Sequence, residues 1–149
     1  WEAARTTLGN ERVSMASGSS FGPGVASLFE LAGRTGAVED PRWADQLGAL
    51  VIDAHCVAIL GLRTTLRALA GGQPGPEASV RKLLGVTHEQ QVQEAGLALL
   101  GPEAALAVGE GQIWSSGFLG NRALSIAGGT SDIQRNIVAE RLLDLPKDP

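Results

Sequence analysis

The chain has 149 residues, 44% of them hydrophobic, which is enough for one globular domain with a core and excludes a disordered chain. Its net charge is −4 and it has no long basic run, so it lacks the electrostatic footprint of a nucleic-acid-binding protein. One cysteine and two histidines argue against a disulfide framework and a structural zinc site. We therefore expect a reducing compartment, the cytoplasm, no metal, and a buried packing role for Cys56.

No uninterrupted apolar run reaches the roughly 18 residues that a membrane-spanning helix needs, so we expect no membrane span. The chain opens WEAAR, without an initiator methionine and without the basic-then-apolar order of a signal peptide. It begins as if in the middle of a protein.

The first predicted helical segment covers residues 10–32, and FGPG at residues 21–24 interrupts it. Proline removes a backbone donor and each glycine costs about 1 kcal/mol in a helix interior, so the residues predict a break here. A second helix is predicted over residues 41–70, because Asp40 is a good N-cap, Pro41 suits the first helical position, and leucines recur at helical spacing. Isoleucines and valines fill its other faces, which predicts that its middle is buried all round.

A third helix is predicted over residues 77–100, and its apolar positions include Val80, Leu83 and Leu84. Residues 104–125 predict a less regular helical segment anchored by Trp114. We interpret Trp43, Trp114, His55 and His88 as structural residues. Long helices joined by short loops, with no strand pattern, predict an all-α fold, an up-down four-helix bundle with an additional C-terminal helix.

The C-terminal helix is predicted from residue 131, within the segment IAGGTSDIQRNIVAERLLDLP of residues 126–146. Thr130 and Ser131 are both good N-caps, and Ser131 with Gln134 fits the capping-box pattern. A glycine turn that leads into a helix N-terminus exposes N–H groups at the positive end of the helix dipole, which suits an anion or a polarised carbonyl. The residues alone also fit a plain structural joint.

This segment resembles the C-terminal signature of the acyl-CoA dehydrogenase family, in which a (Glu or Gly)-Gly-Thr-(Ser/Asn)-x-Ile-Gln-Arg turn opens the last helix. GPEASVRKLL at residues 75–84 resembles the start of the third helix of the same domain. The resemblance implies that residues 1–149 are the family's C-terminal helical domain, with the N-terminal helical and middle β domains absent from this chain. It also implies one long helix across residues 10–32, in conflict with the break predicted from propensity.

The resemblance implies α,β-dehydrogenation of an acyl-CoA thioester, with FAD as hydride acceptor. Many members carry the base that removes the α-proton just before Gly-Thr, where this chain has Gly128. In the branch of the isovaleryl- and long-chain enzymes the base lies in a Glu-Arg pair of the first helix, which Glu11 and Arg12 match. The resemblance thus implies that Glu11 is the base, Arg12 orients the acyl-CoA, and the Gly128 N–H polarises the thioester carbonyl. From the residues alone, Glu11 could equally be a solvated acid, Arg12 a surface arginine and Gly128 part of a plain tight turn.

Thr130 and Asp132 match loop positions that approach FAD in the family, where a helix cap and a first-turn acid are the structural alternatives. Arg34 lies near the arginine that reaches the FAD of a neighbouring subunit, although Thr-Gly-Ala replaces the aromatic-glycine pair expected after it. Of the family's Gln-x-x-Gly-Gly-x-Gly element, ALLGPEA keeps only Gly101, which a helix C-cap would also explain.

The implied partners are the acyl-CoA, an electron-transfer flavoprotein and further subunits in a homo- or heterotetramer. Three functions stay open. The first is a catalytic domain. The second is a non-catalytic partner subunit that serves as the oligomerisation bundle of a heteromeric enzyme, and the third is an unrelated helical binding module. The reduced element around Gly101 favours the second and Glu11 opposes it. An acyl-CoA oxidase would differ from the first in using oxygen as acceptor.

Overall fold

The computed structural model describes residues 21–72, 75–106 and 108–147, which form α-helices and short 3-10 helices, with no β-strand among them. The α-helices of this part are α1 (Val25–Thr35), α2 (Pro41–Leu69), α3 (Glu77–Leu100), α4 (Gly109–Asn121) and α5 (Ser131–Leu142). The 3-10 helices are Ala37–Glu39, Gly101–Ala105 and Arg122–Ser125. The predicted all-α, helical-bundle class is confirmed.

The start of α2 follows the local sequence. Pro41 is its first residue, and Oδ1 of Asp40 accepts a hydrogen bond from the backbone N–H of Arg42 at 2.9 Å. Asp40 is therefore the N-cap, and the side-chain and backbone hydrogen bonds from Arg42 lower the pKa of its carboxyl group. The helix ends at Leu69, ahead of Gly71 with its φ of 80°.

The break at residues 21–24 is confirmed, because this segment is not helical and α1 begins directly after it. A Cβ at Gly22 would lie 2.7 Å from the Cα of Gly117 and 2.8 Å from the side-chain amide of Gln93. Nε2 of Gln93 also donates to the carbonyl of Pro23 at 2.6 Å. The segment is thus held by close backbone packing that only glycine allows. The single long helix that the resemblance implied is wrong here.

The described chain divides into two compact units, which we treat separately. The core unit consists of residues 21–55, 86–106 and 108–122. The loop unit consists, in its described part, of residues 56–72, 75–85 and 123–147.

An apolar cluster forms the centre of the core unit. Its buried members are Leu28, Leu31, Ala32, Ala37, Leu47, Leu50, Val92, Ala95, Leu100 and Trp114. Trp43 packs against this cluster, so the packing role predicted for both tryptophans is confirmed. Gly96 makes room for the six-membered ring of the Trp114 indole, because a Cβ at this position would lie 2.1 Å from Cε3 of that ring.

The prediction that the middle of α2 is buried all round is wrong. The exposed apolar side chains of α2 are Ile52, Ile59, Leu62, Leu66 and Leu69. Cys56, predicted to be buried, is exposed as well. Apolar residues at helical spacing show that a helix has an apolar face. They do not show whether that face packs against the core of the domain or forms an exposed patch.

By length and composition, α2 is the one helix of the described residues that could cross a membrane, with a mean hydropathy of 1.5 over an 18-residue window. Uninterrupted apolar runs did not reveal this, since a few interspersed polar residues leave the average high, and the expectation of no membrane span stays a prediction. Core helices of globular proteins meet the same criterion, so composition alone assigns α2 to neither environment.

Candidate functional site

A turn between the last 3-10 helix and α5 carries the two adjacent glycines. The N–H of Ala127 donates to the carbonyl of Ala123 at 2.9 Å and closes the preceding turn. Gly128 and Gly129 follow with φ angles of 64° and 99°, a left-handed conformation that glycine adopts without steric cost. We call residues 127–130 the glycine loop.

The helix α5 begins immediately after this loop, with Thr130 as its N-cap. Oγ1 of Thr130 accepts a hydrogen bond from the N–H of Ile133 at 3.3 Å, and its carbonyl accepts one from the N–H of Gln134 at 3.0 Å. The capping box predicted from Ser131 and Gln134 is therefore wrong, because the cap lies one residue earlier. The side chain of Gln134 bonds to the glycine loop instead.

Two buried side chains hold the carbonyl groups of the glycine loop. Gln134 is 0% exposed, and its Nε2 donates to the carbonyl oxygens of Gly128 at 2.9 Å and Gly129 at 3.2 Å. Lys82 of α3 is 4% exposed, and its Nζ donates to the carbonyl oxygen of Gly129. A Cβ at Gly129 would lie 2.8 Å from Nε2 of Gln134, so this packing requires glycine.

The last three N–H groups of the loop have no acceptor in the part of the chain that the structure describes. Across residues 21–72, 75–106 and 108–147, no group accepts a hydrogen bond from the N–H of Gly128, Gly129 or Thr130. Consecutive N–H groups around left-handed glycines form a concave donor site, and the N-terminus of α5 adds the positive end of its dipole. This arrangement suits a carbonyl oxygen that gains negative charge, or a phosphate oxygen.

Two of the predicted cofactor residues lie at this helix end. Oγ1 of Thr130 is engaged in the N-cap bond, and the side chain of Asp132 is 88% exposed and accepts a hydrogen bond from Arg135 at 2.8 Å. Both contacts are those of an ordinary first helical turn. Neither occupies the N–H groups of the glycine loop, and the cofactor role of the two side chains stays a prediction.

The other two predicted cofactor residues belong to the core unit. Nη2 of Arg34, in the last turn of α1, donates to Oε1 of Glu110 at 2.5 Å, and both side chains are about half exposed. Gly101 has a φ of 56° and directly follows α3, as a helix-terminating glycine does. Neither observation tests a contact with FAD.

The structure thus brings three of the predicted site residues together, namely Gly128, Thr130 and Asp132. Glu11 and Arg12, predicted as the base and its neighbour, lie outside the described residues. Their roles stay predictions.

Sequence reasoning missed Lys82. The apolar positions of α3 pointed to Val80 as part of its packed face, whereas the residues buried in its first turns are Ala78, Ser79 and Lys82. Ala78 and Ser79 lie four and three positions before the lysine, so all three share one helix face. Two small residues one turn before a lysine are the only signal that could have suggested its burial.

Comparisons with known proteins concern the chain as a whole. A family profile described as "Acyl-CoA dehydrogenase, C-terminal domain" matches residues 1–143. The acyl-CoA dehydrogenase FadE34 of Mycobacterium tuberculosis is 38% identical over 147 residues, which cover 99% of this chain and 20% of that protein. The acyl-CoA dehydrogenase IpdE1 is 33% identical in the same organism and 32% identical in Mycolicibacterium smegmatis.

The matches to the two IpdE1 proteins cover 99% of this chain and 39% and 37% of those proteins. The chain therefore spans between about a fifth and two fifths of the length of these relatives. No solved structure matches it significantly.

Proposed function

The chain belongs to the acyl-CoA dehydrogenase family as its C-terminal domain, and we propose that it completes the active site of a flavin-dependent acyl-CoA dehydrogenase. The proposed reaction removes a proton from Cα and a hydride from Cβ of an acyl-CoA thioester. The observation that carries the proposal is the glycine loop, whose N–H groups meet no acceptor among the described residues. Such donors would stabilise the negative charge that develops on the thioester oxygen as the α-proton leaves.

We assign the role of base to Glu11. The position that holds the base in many members of the family is Gly128 here, and glycine has no group that can accept a proton. The Glu11-Arg12 pair matches the alternative source of the base, and Arg12 would orient the acyl-CoA. With this assignment the glycine loop contributes only its backbone donors, and the carboxylate that acts as the base comes from the other end of the chain.

The residues at the start of α5 fit the cofactor that the family uses, because loop N–H groups and a helix N-terminus together favour oxygen ligands with negative charge. We propose that Thr130 and Asp132 hold FAD from this side, and that Arg34 and Gly101 reach the FAD of a neighbouring subunit. Bound FAD would supply the acceptor for the hydride.

The test of this function is Glu11→Gln in the full-length subunit. A general base contributes about 10²–10⁴-fold to the rate, so acyl-CoA-dependent reduction of the flavin in a single turnover should slow by that factor while FAD content is unchanged. Glu30→Gln is the matched control, since it removes one exposed carboxylate from α1, far from the glycine loop in sequence. A Glu11→Gln protein that reduces its flavin at the wild-type rate would show that another group takes the proton.

A second candidate function is a non-catalytic partner subunit that builds the oligomer and supports the FAD of its partner. The exposed apolar side chains of α2 favour it, because such a patch on an isolated domain is typical of a surface that other protein covers. FAD counted per subunit in the purified oligomer separates the two candidates. One FAD per subunit in a homotetramer supports the catalytic function, and half occupancy in a mixed tetramer supports the partner function.

Either function implies assembly with other subunits. For the catalytic function we further propose that an electron-transfer flavoprotein reoxidises the cofactor and that the enzyme acts in the cytoplasm. An acyl-CoA oxidase would reduce oxygen instead, so hydrogen peroxide formed on addition of acyl-CoA in air distinguishes the two acceptors.

A further inference from the structure

Lys82 is an unusual component of the glycine loop, because it is a lysine with 4% of its surface exposed. Lysine is almost never fully buried unless its ammonium group is partnered, since burial removes the hydration of the charge. Here Nζ reaches from α3 to the carbonyl oxygen of Gly129, which lies 47 positions along the chain. The side chain therefore ties the loop to a helix that is distant in sequence.

The effect of this bond on the loop follows from the geometry of the peptide unit. The described chain has no cis peptide bond, and in a trans peptide the C=O of one residue and the N–H of the next point in opposite directions. Lys82 holds the carbonyl of Gly129, which directs the N–H of Thr130 away from Lys82. Gln134 holds the carbonyl of Gly128 in the same way, which directs the N–H of Gly129 away from Gln134.

The loop needs such support because glycine does not hold its own conformation. Gly128 and Gly129 both have positive φ, and glycine populates many other backbone conformations at similar free energy. Without a partner for their carbonyls the two peptides could rotate, and the N–H groups would lose their common direction. A donor to a peptide carbonyl also polarises that peptide and strengthens its N–H as a donor.

We propose that Lys82 is a positioning residue for the reaction: by holding the carbonyl of Gly129 it fixes the Gly129–Thr130 peptide, and with it the conformation in which the glycine loop offers its N–H groups, that of Gly128 among them, to the thioester oxygen of the bound acyl-CoA. The inference rests on the proposed function for the identity of the ligand. It assigns to Lys82 no contact with the substrate. Its effect on the rate passes through the conformation of the glycine loop.

The test compares Lys82→Met with wild type in the full-length subunit. Methionine keeps most of the length and the apolar stem of the lysine side chain but lacks its terminal donor. The control is Lys147→Met, which removes the other lysine of this chain, whose side chain is 79% exposed and pairs with Glu140 at 3.8 Å. If Lys82→Met does not fold, Lys82→Gln replaces it, because a side chain one atom shorter withdraws the donor and leaves a polar group in the site.

The first measurement uses acetoacetyl-CoA, whose Cα–H is acidic and whose Cβ is already oxidised, so that it can lose the α-proton without being dehydrogenated. We expect its apparent pKa in the complex, followed by the enolate absorption, to rise by about one unit in Lys82→Met, which is a tenfold loss of enolate stabilisation. With an oxidisable acyl-CoA, kcat should fall about 10–100-fold and KM should stay within about threefold, since the misaligned donors act on developing charge. Lys147→Met should match wild type in both assays.

The second measurement is independent of the substrate and is the crystal structure of the ligand-free variant, in which the Gly129–Thr130 peptide should be rotated. An unrotated peptide together with a wild-type enolisation constant would overturn the inference. If wild type itself does not lower the pKa of bound acetoacetyl-CoA, the proposed function fails and the role in the reaction falls with it. A rotated peptide would then still establish that Lys82 holds the loop.

Discussion

Gly96 offers a quantitative test of the packing in the core unit. The change is Gly96→Ala, which places a methyl group against the indole ring of Trp114. The ideal Cβ would lie 2.1, 2.2 and 2.6 Å from three ring carbons, whereas ordinary van der Waals contact begins near 3.4 Å. The ring is 2% exposed and lies in the apolar cluster, so it has little room to move away.

The expected loss of stability combines two opposing effects. Overpacking a buried site costs about 1–3 kcal/mol, and contact with three atoms of a rigid ring places this site at the upper end. Replacing glycine by alanine in a helix interior returns about 1 kcal/mol. We therefore expect a net loss of about 2 kcal/mol, or about 30-fold in the opening equilibrium of the unit.

Gly48→Ala is the matched control. Gly48 lies in α2, also in the core unit, and nothing lies within 4 Å of its ideal Cβ. The helix-propensity gain should therefore stand alone and stabilise the unit by about 1 kcal/mol. The two variants make the same chemical change in helices of one unit, so their difference of about 3 kcal/mol isolates the contact with Trp114.

Hydrogen exchange measured by mass spectrometry on peptides from residues 90–100 reports the opening of this unit within the full-length subunit. Exchange should be faster in Gly96→Ala and slower in Gly48→Ala than in wild type. Equal exchange in the two variants would mean that the indole ring yields at no cost and that the core unit is not closely packed around Gly96.

Two further predictions concern single side chains of the core unit. Burial lowers the pKa of His88, with Asp53 opposing in part, so the unfolded chain binds a proton more readily. The stabilisation from neutral His88 should be complete above the ordinary pKa of histidine, about 6.5, and should be lost as the pH falls through the lower pKa of the folded state. In urea unfolding at a series of pH values, His88→Gln should flatten this dependence, and His55→Gln is the control. The exposed Arg34–Glu110 ion pair should contribute less than about 1 kcal/mol to stability, so Arg34→Gln and Glu110→Gln should both change stability little. If Arg34 contacts FAD, Arg34→Gln should lower the FAD content, whereas Glu110→Gln, which breaks the same pair, should keep its FAD.

The helix boundaries could be read from the sequence wherever a local signal sets them. Asp40-Pro41 fixes the start of α2, because capping and the fixed φ of proline act within one turn. The glycines and prolines after residue 70 fix its end. The break at residues 21–24 was predicted on the same local grounds, and the contact of Gly22 with Gly117 shows that tertiary packing supports it.

The errors arose where tertiary contacts decide between equivalent local choices. Thr130 and Ser131 are both adequate caps, and the burial of Gln134 under the glycine loop selects the first. Cys56 lies in an apolar stretch, yet a helix packs on some faces only, and spacing does not say which of them meets the core. Lys82 was missed for a related reason, since its partner is a backbone carbonyl that leaves no trace in the sequence.

The glycine loop presents its ligand with groups that conventional mutagenesis cannot remove. Every residue except proline carries the same N–H, so an alanine scan through residues 127–130 would change side chains and leave each proposed donor in place. Proline is itself unsuited to Gly129, whose φ of 99° is far from the value that its ring allows. Replacing one amide by an ester through chemical ligation would delete one N–H at a time. Because amino-acid substitutions leave the N–H groups in place, natural mutations would disturb this loop through its shape and not through its donors.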